Sequence, residues 1–264
     1  MRVHVVLTVG LMAVLVGGCS RVAGSEAGLR AGTPAPSATM SASSSSTTST
    51  STTTTVPPSV ARDIQEAADT PAPGPAPAPS SSPRTLHQQA WTPFASAGGV
   101  TLRHPSSRVE LIGFHESNLD GARQLEPLAG SAPTVILEAR GRDTGSRSAA
   151  DVVVAPATEI RSPVTGTVRS AGSYILYCNH TDNFLVIEPD DHPGWQVKIL
   201  HVEGLLVGVG ARVAGGQTPI SPNARKLPFQ SQVDRVTAQP AWPHVHIEID
   251  DPTIPDRPTP GGGC

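Results

Sequence analysis

Lysine is nearly missing from this chain. It occurs at positions 198 and 226 only, while arginine and alanine are common, a bias typical of a high-GC bacterial genome. The formal net charge of -3 and a pI near 6.3 leave no basic footprint, so nothing points to nucleic acid as a partner. Cysteine stands at positions 19, 178 and 264 alone, which limits the chain to one disulfide. The apolar run over residues 5–16 is shorter than the ~20 residues that a bilayer-spanning helix needs. No segment holds a helical period over three turns, which excludes a helical bundle.

What is present begins with an export pattern. Arg2 precedes the apolar run, and Gly17 and Gly18 follow it, ahead of Cys19. This reads as a secretory signal peptide over residues 1–18. Val16-Gly17-Gly18-Cys19 resembles the lipobox of bacterial lipoproteins. The resemblance implies cleavage before Cys19, lipid on its sulfur, and a location on the outer face of the cell membrane, facing the wall. Cys178 and Cys264 then remain as a pair in an oxidising compartment, where a disulfide between them is expected. Residues 19–85 are dominated by Ser, Thr, Pro and Ala, too polar and too simple to offset chain entropy by burial, so this stretch reads as a disordered tether.

Residues 86–264 form the expected folded domain. Strands are predicted over residues 99–103, 108–114, 134–138, 151–154, 159–161, 166–170, 174–178, 184–188, 196–201 and 244–249. They are short, rich in Val and Ile, and separated by Gly, Pro, Asn and Asp. The pattern predicts an all-β fold, an antiparallel sandwich or open barrel. In the last strand Val245, Ile247 and Ile249 alternate with His244, His246 and Glu248. Residues two apart on a strand share a face, so two imidazoles stand side by side with a carboxylate beyond them. Such a pair suits a zinc site, where one ring ligates and its neighbour moves protons. A strand wetting its polar face has the same pattern.

Four stretches carry more. They are residues 147–154 (Arg-Ser-Ala-Ala-Asp-Val-Val-Val), residues 160–168 around Pro163 and Gly166, Leu200-His201 with the Val207–Gly216 ladder, and Pro243-His244-Val245-His246-Ile247-Glu248. In this order they resemble the lysostaphin/LytM-type zinc metallopeptidases, which cut peptide cross-links of bacterial peptidoglycan. The resemblance covers a core of roughly residues 143–250. It implies that Asp151 and His246 are zinc ligands, and that His201 and His244 flank the metal's water as catalytic groups. It also implies peptidoglycan peptides as partners.

The chain departs from the family pattern at two places. Arg147 stands where the family has its first zinc-ligating His, and a guanidinium cannot ligate a metal. His115 is the candidate replacement, its ordinary reading being a surface loop histidine. Residues 221–243 form a longer, bulkier loop before the His-x-His pair than the family carries. Three readings follow. The chain is a degenerate relative that binds cross-link peptides or regulates another cell-wall hydrolase, an active zinc endopeptidase with a recruited third ligand, or a structural envelope lipoprotein. His87, His104, His180 and His192 match nothing in the pattern and read as surface residues.

Overall fold

Period-two alternation separates the strands into two faces, and the computed structural model, which describes residues 83–257, shows what each face meets. Ala150, Val152 and Val154 point one way, as do Val245, Ile247, Ile249, Val197, Ile199, Leu185 and Ile187, and all join one buried cluster. Asp151, His244, His246, Glu248 and Lys198 have the opposite parity.

These strands form one nine-stranded sheet. Its order is His87–Gln88, Arg108–His115, Ala149–Val154, His244–Asp250, Gln196–Leu200, His180–Pro189, Gly166–Leu176 and Arg212–Val213. Thr134–Ile136 pairs in parallel with Arg108–His115; the other pairings in this sheet are antiparallel. Among the described residues three small sheets complete the fold, and none of the sheets closes into a barrel. Two of them contribute Phe94, Ala95, Val100, Leu102, Ile160 and Ile220 to the same buried cluster. The fold is therefore all-β with packed sheets, as the strand pattern predicts.

The predicted strands at residues 166–170 and 174–178 are one strand, Gly166–Leu176. Gly172 and Ser173 look like a turn, but Gly172 pairs with Phe184 and Ser173 with Asn183. The real turn sits at Tyr177 and Cys178, with φ of 47° and 60°. Neither residue carries the Gly or Asn signature of a left-handed turn position, so the sequence signal is hidden. Cys178 is disulfide-bonded. Cys264, its expected partner, lies outside the described residues, as do the 1–18 leader, Cys19 and the tether up to Ser82.

The long loop is held down rather than open. Leu227 joins a cluster with Tyr174, Leu176, Phe184 and Leu200. Val233, on the single-turn 3-10 helix Val233–Val236, joins Leu137 and Val153. Burying each such side chain contributes about 1.5–3 kcal/mol. Gly113 allows the second contact, because a Cβ there would lie 2.9 Å from Val233.

Candidate metal centre

Three neighbouring strands build the centre. Ala149–Val154 lies between Arg108–His115 and His244–Asp250. Across one junction His246 is directly opposite Asp151; across the other, Gly113 is opposite Asp151 and His115 opposite Ala149. His115 is thus the diagonal neighbour of Asp151 on the same face, within reach of a long side chain. His115 Nε2 lies 3.2 Å from Asp151 Oδ1, and His246 Nδ1 lies 3.0 Å from the same oxygen. One donor atom from each of the three residues lies within 4.8 Å of the others, so the group can hold a metal ion.

The other ring nitrogens are also occupied. His115 Nδ1 is 2.9 Å from the carbonyl oxygen of Glu116, and His246 Nε2 is 3.5 Å from Glu248 Oε2. A neutral imidazole has a single N–H. Both nitrogens of His115 face oxygens, so in either neutral tautomer one contact sets lone pair against lone pair. A proton or a metal cation between the groups removes that conflict. Burial lowers the pKa of His115, and the attraction of Asp151 only partly offsets it, so this ring is held neutral. Burial also opposes charge on His246, but hydrogen bonds to Asp151 and Glu248 outweigh it and lift its pKa to about 10. Asp151 is pushed up by burial and pulled further down by His115 and His244, ending well below the usual carboxylate range. The centre thus holds its proton at His246 and leaves one of the two His115 contacts, to Asp151 or to the Glu116 carbonyl, unsatisfied.

No family model and no curated protein matches the chain. The chemistry of the centre therefore rests on its own geometry.

His244 and His201 lie beside the three donors. His244 is buried, with Nε2 3.9 Å from Asp151 Oδ2. Burial, reinforced by His201, outweighs Asp151 and lowers its pKa to about 4, so this ring is neutral at pH 7. The His201 ring centroid is 5.1 Å from that of His244 and 6.1 Å from that of His246. Asp151, His201, His244 and His246 thus meet in one place, although they come from separate parts of the chain.

Three expectations about individual residues need correction. Arg147 does not stand in the centre; its guanidinium pairs with Glu126 Oε1 at 3.2 Å, and its side chain is 36% exposed. His115 is no surface loop residue. It ends the Arg108–His115 strand and is 3% exposed. The sequence signal for it was parity, because position 115 shares a face with Leu111 and Gly113. His104 is not a surface residue either: it is buried, with Nδ1 on the Thr92 carbonyl at 2.7 Å and Nε2 accepting from the Ala132 N–H at 3.3 Å. That leaves it no free nitrogen, and its role is structural.

Sequence reasoning placed Glu248 on the site face without giving it a task. It is fully buried, accepts a hydrogen bond from Ser117 Oγ at 2.6 Å and faces His246. Lys198, opposite it in register and equally buried, pairs with Asp250 at 3.0 Å. Burial raises the Glu248 pKa, but His246 and Lys198 outweigh this and bring it down to about 2. Glu248 therefore stays ionised and turns the His246 ring so that Nδ1 faces Asp151. Outer partners of this kind change metal affinity by ~10–100-fold. Replacing Glu248 by Gln is expected to weaken metal binding within that range without unfolding the domain. Competition with a fluorescent chelator, alongside a thermal melt, measures both.

Proposed function

We propose that this chain is a zinc peptidase of the bacterial cell envelope, tethered through lipid on Cys19 and acting on the peptide cross-links of peptidoglycan. One observation carries the reading. His115, Asp151 and His246 converge as a two-histidine, one-carboxylate donor set, each ring having its second nitrogen engaged elsewhere. Catalytic zinc sites use three protein ligands of these types and keep a position open. Bonds of ~2.0–2.2 Å place tetrahedral ligand atoms roughly 3.3 Å apart. The 3.0 and 3.2 Å separations to Asp151 are close to that value. The imidazole pair, no more than 4.8 Å apart, has at most about 1.5 Å to close. The residues fit the ion.

When bound, zinc supplies Lewis acidity and a water of lowered pKa. The chain's own residues supply the rest. His244, neutral and buried beside the donors, is placed to donate or accept a hydrogen bond at a substrate carbonyl. His201 is placed to accept a proton. Asp151 and Glu248 stay ionised and balance the cation's charge. The buried face excludes water from all of these contacts, which strengthens them.

A degenerate, non-catalytic role was suggested by Arg147, and that residue faces Glu126 instead. The recruited-ligand reading is the one favoured by the position of His115. The test is to purify the full chain, count zinc by mass spectrometry and incubate it with cross-linked muropeptides. One ion per chain and new peptide termini are expected, both lost in His246→Ala. A chain that takes up no zinc sinks the reading.

A further inference from the structure

Asp182 lies outside every motif that points to the metal centre, yet it is fully buried next to one of the site histidines. It belongs to the strand His180–Pro189, opposite Tyr174 in register. Its Oδ2 lies 2.5 Å from His201 Nδ1 and accepts the Tyr174 hydroxyl at 2.7 Å. Arg225 Nε stands 3.4 Å from its other oxygen. Charged groups are rarely buried without a partner that repays the lost hydration. Here the partner is an imidazole at the edge of the cluster.

His201 is held from three sides. Its backbone is left-handed, with φ of 62° in a residue with a bulky side chain. Such a conformation persists in a bulky residue only where the surroundings impose it. The Arg225 N–H donates to the His201 carbonyl at 2.8 Å, and the Asn183 amide donates to the next carbonyl, that of Val202, at 2.9 Å. Asp182 then fixes the ring. An ionised carboxylate only accepts hydrogen bonds, so His201 Nδ1 carries the hydrogen and Nε2 keeps its lone pair. The ring is not among the metal-holding donors.

We infer that Asp182 is a positioning residue, which sets the tautomer and orientation of His201 so that Nε2 takes the proton during peptide hydrolysis. The inference rests on the peptidase reading. In that reaction the water oxygen bonds to the carbonyl carbon and its proton passes to His201 Nε2. The C–N bond then breaks, and the leaving amine nitrogen takes that proton. Asp182 stays ionised throughout and stabilises the transient imidazolium, as the carboxylate of a Ser-His-Asp triad does for its histidine.

The test is Asp182→Asn in the full, zinc-loaded chain, with Tyr174→Phe as the control that removes the other bond to the same oxygen. An amide can present its N–H to Nδ1 and force the hydrogen onto Nε2. In the comparable triad substitution the wrong tautomer costs ~10⁴-fold in kcat. For Asp182→Asn we expect kcat to fall by ~10³–10⁴-fold, with KM within about threefold and zinc content unchanged. We also expect ¹⁵N ring spectra to move His201 from the Nδ1–H to the Nε2–H form, while Tyr174→Phe keeps the original form. An Asp182→Asn chain that retains kcat, or whose His201 stays Nδ1–H, overturns the inference even if the wild type is an active zinc enzyme. A wild type without zinc or hydrolysis overturns the peptidase reading first. The ring spectra still report, independently, whether Asp182 sets the tautomer.

Discussion

Replacing His115 by alanine is expected to empty the centre of metal, and replacing Arg147 by histidine is expected to add nothing. Structural zinc sites with four ligands yield ~10–16 kcal/mol. One ligand's share is then about 3–4 kcal/mol, or on the order of 100–1000-fold in affinity. His115 holds that share because it lies diagonal to Asp151 on the neighbouring strand, with its Nδ1 tied to the Glu116 carbonyl. Arg147 lies before the Ala149–Val154 strand and pairs outward with Glu126. A histidine placed there would still face outward. Titration of the two variants against a chelator of known affinity, with far-UV spectra to verify folding, separates the residues. If Arg147→His tightened zinc while His115→Ala left it unchanged, the ligand set argued above would be wrong.

The second large effect is a reversal of the pH dependence of stability by zinc. In the metal-free protein His246 titrates near 10, against about 6.5 when unfolded. Its folded pKa is raised, so its contribution is complete below about pH 6.5 and is lost as pH climbs toward 10. His244 behaves oppositely. Its folded pKa is about 4, so its contribution is present above about pH 6.5 and is lost as pH falls toward 4. His115 and His104, also lowered by burial, act in the same direction as His244. Stability in EDTA should therefore peak near pH 6–7 and decline by a few kcal/mol on either side. Zinc must displace the proton of His246, so its apparent affinity should rise about tenfold per pH unit over the alkaline arm. With zinc in excess the melting temperature between pH 7 and 9.5 should hold or increase where the metal-free protein's falls. Calorimetry in buffers of different ionisation enthalpy should find about one proton released per ion at pH 8. Parallel melting curves with and without zinc would rule out the proton-for-metal exchange.

Sites of this kind join what local pattern encodes to what strand order decides. His244, His246 and Glu248 share a face by alternation alone, and Val245, Ile247 and Ile249 fill the core on the other side as that alternation requires. Asp151 opens its predicted strand and by itself reads as a turn residue; only the resemblance singled it out. His115 could be named from the sequence as a candidate but not placed, because its strand could be paired anywhere until its partner was known. Asp182 was hidden more deeply: it lies ahead of the predicted strand 184–188, and the task of the carboxylate appears only when the strand His180–Pro189 is set beside His201.

The sequence by itself determined that the domain is built of β-strands and which side chains share a face within each strand, because a strand's two-residue period is a local property of the backbone. Within the last strand it also set His244, His246 and Glu248 on one face. The tertiary structure alone decided that His115 and not Arg147 stands beside Asp151, and that Asp182 holds His201. Both depend on which strands become neighbours and in what register. A shift of register by one residue would turn His115 or His246 to the opposite face, and the burial of Val152, Val245 and Ile247 on the core face is what prevents it.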